Sequence, residues 1–188
     1  MAFKMNKPYL IVVTGRPGSG KSTFANALGN EICMPVFSRD RIKEGYLHTL
    51  GKGHAELPPE TNGVVNRIYF DALMGLAENN VSIIVEAAFQ HAVWSSMLER
   101  FIGKVNLNFV ICKVSDDIAI QRYVNRGLGN PLREYFHGDP GVDDARKGAS
   151  VEIKPYTEPS LDAPKFYVDA SGEYNPSVRE LAAMILKR

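Results

Sequence analysis

Two rhythms of apolar residues alternate along the chain. Short runs of strand length, rich in β-branched residues, are separated by stretches with helical spacing, the pattern of a parallel sheet covered by helices. Tyr9–Thr14 reads as strand one, Val36–Phe37 as a short strand two, and Val81–Ala87 as a buried strand three. Asn106–Val114 and Phe166–Ala170 read as strands four and five. Helical spacing covers Ser22–Asn30, about Asn62 to Asn80, the amphipathic Val93–Ile102, Asp116–Arg126 and Pro176–Lys187. Ser115 is the expected cap of the helix at 116, with two acids in its first turn. Asn175 and Pro176 read as the cap and first residue of the last helix. The predicted class is α/β, a three-layer sandwich with a five-stranded parallel sheet and helices on both faces.

Two stretches break the rhythm. Gly45–Thr61 is rich in Gly, Pro, His and Lys and reads as a mobile loop. Residues 127–155 hold five glycines and three prolines with little apolar periodicity. Segments this long inside a compact domain usually serve function, and a lid over a binding site is the expectation for 127–155.

Composition narrows the picture further. The 188 residues suit one domain, 1–188, large enough to bury a core without staples. A balance of 22 basic against 21 acidic residues supplies no global field for nucleic acid or membrane. The two cysteines, Cys33 and Cys112, have no metal-ligand spacing and fit a reducing compartment. The first apolar run is too short for a membrane span and is followed by no cleavage-like site, so the expected location is cytoplasmic.

The chemistry begins directly after strand one. Gly15-Arg16-Pro17-Gly18-Ser19-Gly20-Lys21-Ser22 matches G-x-x-x-x-G-K-[ST] at every fixed position, the Walker A pattern. It lies between an apolar strand and a helix, the context that a phosphate loop requires. Glycines let successive N–H groups turn inward as an anion nest, and the helix N-terminus adds its positive end. Residues Gly15 to Thr23 form the expected ATP-binding set, with Lys21 reaching the β- and γ-phosphates and the Ser22 hydroxyl holding Mg²⁺. No guanine-reading Asn-Lys-x-Asp follows the loop.

Phe37-Ser38-Arg39-Asp40-Arg41-Ile42-Lys43-Glu44 follows strand two, at the carboxyl edge where open α/β sheets bind ligands. There Asp40 could accept the proton of an attacking hydroxyl, and Arg39, Arg41 and Lys43 would suit an anionic acceptor. A capping aspartate before a solvated basic turn is the competing reading. Ile83-Ile84-Val85-Glu86 has the Walker B form, apolar residues ending in an acid, so Glu86 would serve Mg²⁺ or orient the acceptor; a plain strand-end carboxylate is the competing reading.

These segments resemble the P-loop kinases, an AAA-type ATP-binding group that includes 5′-hydroxyl polynucleotide kinases, chloramphenicol phosphotransferase and zeta toxins. The resemblance implies a P-loop NTPase fold and transfer of the ATP γ-phosphate to a hydroxyl. It makes Asp40 the base and puts Lys43 where polynucleotide kinases carry an arginine. That change removes a planar bidentate fork and disfavours a polynucleotide acceptor. Arg122 and Arg126, i and i+4 on one helix face, match lid-edge arginines that pack on adenine or neutralise the transferring group. Simple dipole-satisfying cations at a helix end are the competing reading. The reading reached is an ATP-dependent kinase acting on a small hydroxyl acceptor. A 5′-hydroxyl polynucleotide kinase and a non-catalytic nucleotide switch are the alternatives.

Overall fold

The computed structural model describes residues 6–152 and 155–187. Residues 1–5, 153, 154 and 188 lie outside it, and with them the extreme N-terminus and two positions of the expected lid. The architecture follows from one buried strand. β1 (Tyr9–Thr14) has five fully buried residues among its six, so it must be covered on both faces. It runs parallel to β3 (Ile83–Glu86) on one side and β4 (Asn106–Lys113) on the other. β2 (Val36–Ser38) adds outside β3 and β5 (Lys165–Asp169) outside β4. The five strands stand in the order β2-β3-β1-β4-β5.

Alternation along β1 divides the core. Leu10 and Val12 face Tyr69, Phe70 and Leu73 of α3 (Thr61–Glu78) and Trp94 and Leu98 of α4 (His91–Leu98). Ile11 and Val13 face Phe24 and Leu28 of α1 (Lys21–Ile32) and Leu181 and Ile185 of α8 (Val178–Leu186). Helices thus cover both faces of the sheet. Among the described residues, no helix is long and apolar enough to cross a membrane.

Three expectations change. Gly45–Thr61 is not a long loop. α2 runs Arg39–Leu50, with Leu47 fully buried, and a 3-10 turn spans His54–Glu56. Gly51 ends α2 in the left-handed conformation, its N–H bonded to the carbonyls of Leu47 and His48, a C-terminal glycine cap. The 127–155 segment is partly helical. After α5 (Asp116–Leu128) come α6 (Pro131–His137) and α7 (Pro140–Arg146), each with proline at its first position. Finally, Ser177 caps α8 in place of Asn175, through a reciprocal capping box with Glu180. Ser115 caps α5 as expected, accepting from the Ile118 N–H.

The β4–β5 connection also departs from the usual single crossover helix. It climbs through α5, α6 and α7, and residues 155–164 then form a strap, without helix or strand, that leads into β5. Gln90 holds the strap through its amide, donating to the Pro155 carbonyl at 3.1 Å and accepting from the Thr157 N–H at 2.8 Å. The Tyr156 hydroxyl lies 2.8 Å from Thr14 Oγ1 at the end of β1.

Candidate active site

The loop between β1 and α1 is shaped by its glycines. Gly18 has φ +79°, and a Cβ there would stand 2.1 Å from the Ala119 carbonyl oxygen. Gly15 has φ +150°, with a Cβ position 2.7 Å from the Cys112 carbonyl oxygen. Neither position accepts a side chain, so the loop packs backbone-to-backbone against the end of β4 and α5. Ser19 is fully buried, and among the described residues its Oγ has no hydrogen-bond partner. A buried hydroxyl without a partner costs free energy unless a ligand oxygen meets it. Together with the N-terminus of the twelve-residue α1, the loop fits a phosphate chain. Arg16 is turned aside and pairs with Asp116. Pro17 lies half-buried in the loop.

Strand register assembles the acids. Glu86 is level with Val13 of β1 and with Ser38 of β2. Its buried carboxylate lies 3.7 Å from the buried Lys21 ammonium and accepts from the Ser38 hydroxyl at 2.9 Å. Ser22 and Thr23, in the first turn of α1, are exposed. Ser22, Glu86 and Asp40 line one cleft of about 670 Å³, closed on its far side by α6. Thr23 does not line it. A serine hydroxyl and carboxylates are oxygen donors suited to Mg²⁺ beside a nucleotide.

Asp40 opens α2, and its side chain is 50% exposed into the cleft. Burial by the cleft walls pushes its carboxyl up, but the charges of His137, Lys21, Arg39 and Arg133 outweigh this. The carboxyl is held below its ordinary value. Glu44 lies one turn further along α2 and meets His137 of α6 at 2.9 Å. His48, another turn along, packs its ring 4.8 Å from that of Phe136. α6 is therefore docked on α2 across the cleft. Arg133 of α6 is engaged by Asp139 at 2.6 Å. Arg126 lines the cleft, and among the described residues it has no hydrogen bond or ion pair. Burial and the neighbouring Arg133 charge depress its pKa.

Three residues expected at the site point elsewhere. Arg39 turns to α3, donating to Asn66 at 3.0 Å and Asn62 at 2.8 Å. Lys43 is 4% exposed, does not line the cleft, and holds His54 Nδ1 at 3.0 Å. The helical turn explains both: with Asp40 and Glu44 facing the cleft, residues 39 and 43 fall on the adjoining face of α2. Arg122 donates to the Ala170 and Ser171 carbonyls at 2.7 and 2.8 Å, tying α5 to the loop after β5. Its Nη1 lies 3.7 Å from the Cβ position of Gly20, beside the phosphate loop rather than in the cleft. Conversely, Glu44, Ser38 and His137 line the cleft without having been singled out from the sequence. The i, i+4 spacing of Asp40 and Glu44 was a usable signal for the first; none marked His137.

A family model described as an AAA domain matches residues 10–135. Among solved structures, a candidate kinase from Chloroflexus aurantiacus J-10-fl superposes with a TM-score of 0.79 at 21% identity, covering 97% of this chain and 98% of that one. The APS kinase CysC of Mycobacterium tuberculosis, in complex with AMPPNP and APS, gives 0.61 at 16% identity, covering 96% of each chain. A gluconokinase from Sinorhizobium meliloti 1021 gives 0.56 at 15% identity, covering 98% of this chain and 94% of that one. The fold is that of the nucleotide-binding P-loop kinases.

Proposed function

The chain belongs to the AAA domain family, and on that premise we propose that it transfers the γ-phosphoryl group of ATP to a hydroxyl of a small molecule. The observation that carries the reading is Asp40. Its carboxylate stands in a cleft of about 670 Å³ that also holds Ser22 and Glu86, the size of a small-molecule site.

The donor end is built from the loop. Backbone N–H groups of residues 18–21 and the Lys21 ammonium bind the β- and γ-phosphates. The Ser22 hydroxyl and the Glu86 carboxylate would hold Mg²⁺, which when bound neutralises charge between the phosphates. Asp40 accepts the proton of the acceptor hydroxyl while that oxygen forms its bond to the γ-phosphorus. The bond from the γ-phosphorus to the β,γ-bridging oxygen breaks, and its electron pair leaves with ADP. The charges already around Asp40 keep it ionised and ready for the proton. Arg126 lines the cleft and, among the described residues, makes no ion pair, which suits it to the charge of the group in transfer. Arg122 acts at one remove, holding the loop after β5 against the phosphate loop.

The test is transfer of labelled γ-phosphate by wild type and Asp40→Asn. Loss of a positioned base should lower turnover by about 10²- to 10⁴-fold. AMPPNP affinity should stay within a few fold, because Asp40 is not part of the phosphate loop. Unchanged turnover in the variant would remove Asp40 from this role.

A further inference from the structure

We propose that Asp139 is a positioning residue for phosphoryl transfer: its carboxylate aims Arg133 into the cleft and supplies the counter-charge that lets Arg133 and Arg126 stand there together, on the group in transfer. The inference rests on the phosphotransferase reading.

Asp139 stands where a helix cap is expected. It directly precedes α7, and Asp is among the residues that best accept from first-turn N–H groups. Asn130 does this at the start of α6, where its side chain accepts from the Arg133 N–H. The Asp139 carboxylate makes no cap bond and turns back to the Arg133 side chain instead. Its Oδ2 accepts from Arg133 Nε at 2.6 Å and its Oδ1 from Nη2 at 3.4 Å. This bidentate pairing fixes the plane of the guanidinium as well as its position. Both side chains are 15% exposed, so water competes little for the pair. The turn that carries Asp139 is itself tightly held. Gly138 has φ +57°, and a Cβ there would stand 2.0 Å from His54 Cδ2. Burial, and then the Asp139 charge, push the Tyr123 phenol up to about 12, so α5 also packs at this carboxylate.

The pairing uses Nε and Nη2 of Arg133 and leaves Nη1, which among the described residues has no hydrogen-bond partner. Arg133 lines the cleft together with Arg126 and Asp40. Against burial, the charges of His137, Lys21, Arg39 and Arg133 hold the Asp40 carboxyl low, so the Arg133 guanidinium stands near the proposed base. Two guanidiniums in one cleft repel each other. Burial and the Arg133 charge depress the Arg126 pKa, and the charges of Asp139 and Asp40 work against them. Asp40 loses its charge as it takes the acceptor's proton, and Asp139 is then the carboxylate that still offsets the two arginines. Donors fixed before the phosphoryl group moves need no reorganisation during its transfer.

The test uses labelled ATP–Mg²⁺, a small-metabolite extract as the acceptor pool, and the single and double alanine variants of Arg133 and Asp139. At saturating ATP, Arg133→Ala should lower turnover by about 10²- to 10³-fold. Asp139→Ala, which leaves Arg133 in place but unaimed, should lower it by about ten- to a hundredfold. AMPPNP affinity should stay within a few fold in both. A carboxylate that works only through Arg133 adds nothing once Arg133 is gone, so the double variant should match Arg133→Ala. Guanidinium chloride, below denaturing concentration, should restore part of the lost turnover in Arg133→Ala and none in the double variant, because only the first keeps the carboxylate that would hold it. A carboxylate that merely closed the turn between α6 and α7 would give neither result. Should Asp139→Ala fail to bind AMPPNP, Asp139→Asn keeps the shape, loses the charge and takes its place throughout. Unchanged turnover in either single variant, losses that multiply in the double variant, or recovery that is absent or indifferent to Asp139 overturns the inference and leaves the kinase standing. No transfer even by wild type, from protein that still binds AMPPNP, overturns the phosphotransferase reading and this inference with it.

Discussion

Glu44 and His137 are separated by 93 positions, yet they meet at 2.9 Å between α2 and α6. The side chains are 22% and 7% exposed, so water competes for the pair only in part. Hydrogen bonds to charged groups contribute about 1.5–3 kcal/mol, and the partial exposure of Glu44 argues for the lower end, about 1.5 kcal/mol. The packing of Phe136 on His48 is left intact by a change at Glu44. The Arg41 arm of Glu44 is largely solvated and contributes little. Glu44→Ala should therefore shift the opening equilibrium of α6 by about tenfold, at 1.4 kcal/mol per decade. Glu44→Gln keeps an acceptor oxygen but loses the charge, and should give a smaller shift in the same direction. Hydrogen exchange read by mass spectrometry on the 131–137 peptide reports that opening directly. Amides of α8, on the opposite side of the sheet, serve as the control for global stability. The reasoning fails if α6 protection in Glu44→Ala stays within about twofold of wild type, or if α8 loses protection equally.

Other expectations follow from the same contacts. Gly18→Ala sets a side chain at φ +79° and drives its Cβ to 2.1 Å from the Ala119 carbonyl. It should cost about 2 kcal/mol or more and lower the melting temperature by several degrees; a change of less than about a degree refutes the packing argument. Asp40 is held below its ordinary value, so its contribution to stability is present above its unfolded-state pKa and is lost as pH falls through the lower folded value. Transfer activity should therefore persist through about pH 5, with the Asp40-dependent acid limb below about 3.9; a limb centred between about 5 and 6 excludes an ionised Asp40 as drawn. Arg122→Gln should raise KM for ATP with a smaller effect on kcat, because the guanidinium ties the loop after β5 rather than facing the cleft. The opposite split, a fall in kcat at constant KM, would return Arg122 to the transferring group.

The donor end of the cleft was legible in the sequence because it is made from contiguous backbone. Gly15, Gly18 and Gly20 determine a local path, the strand before them and the helix after them are periodic, and no distant residue is needed to draw the nest. The acid of β3 was legible for a similar reason, since parallel register brings a strand-end carboxylate level with its neighbours. The acceptor end obeys different physics. Its cations were counted correctly in sequence and wrongly in space, because the helical turn that aims Asp40 and Glu44 into the cleft necessarily turns Arg39 and Lys43 away from it. Reading 45–61 as loop concealed that turn. Gly45 and a sparse apolar pattern weakened the helical signal, while Leu47 and the cap at Gly51 carried it. The helices within 127–155 escaped notice in a parallel way: Asn130-Pro131 and Asp139-Pro140 are helix starts, but helices of seven residues leave too few turns for periodicity to register. His137 acquires its place only when α6 docks on α2, a contact between elements with no local sequence signature. Cations beside a carboxylate in sequence thus share its cleft only where the helix that carries them turns them to the same face.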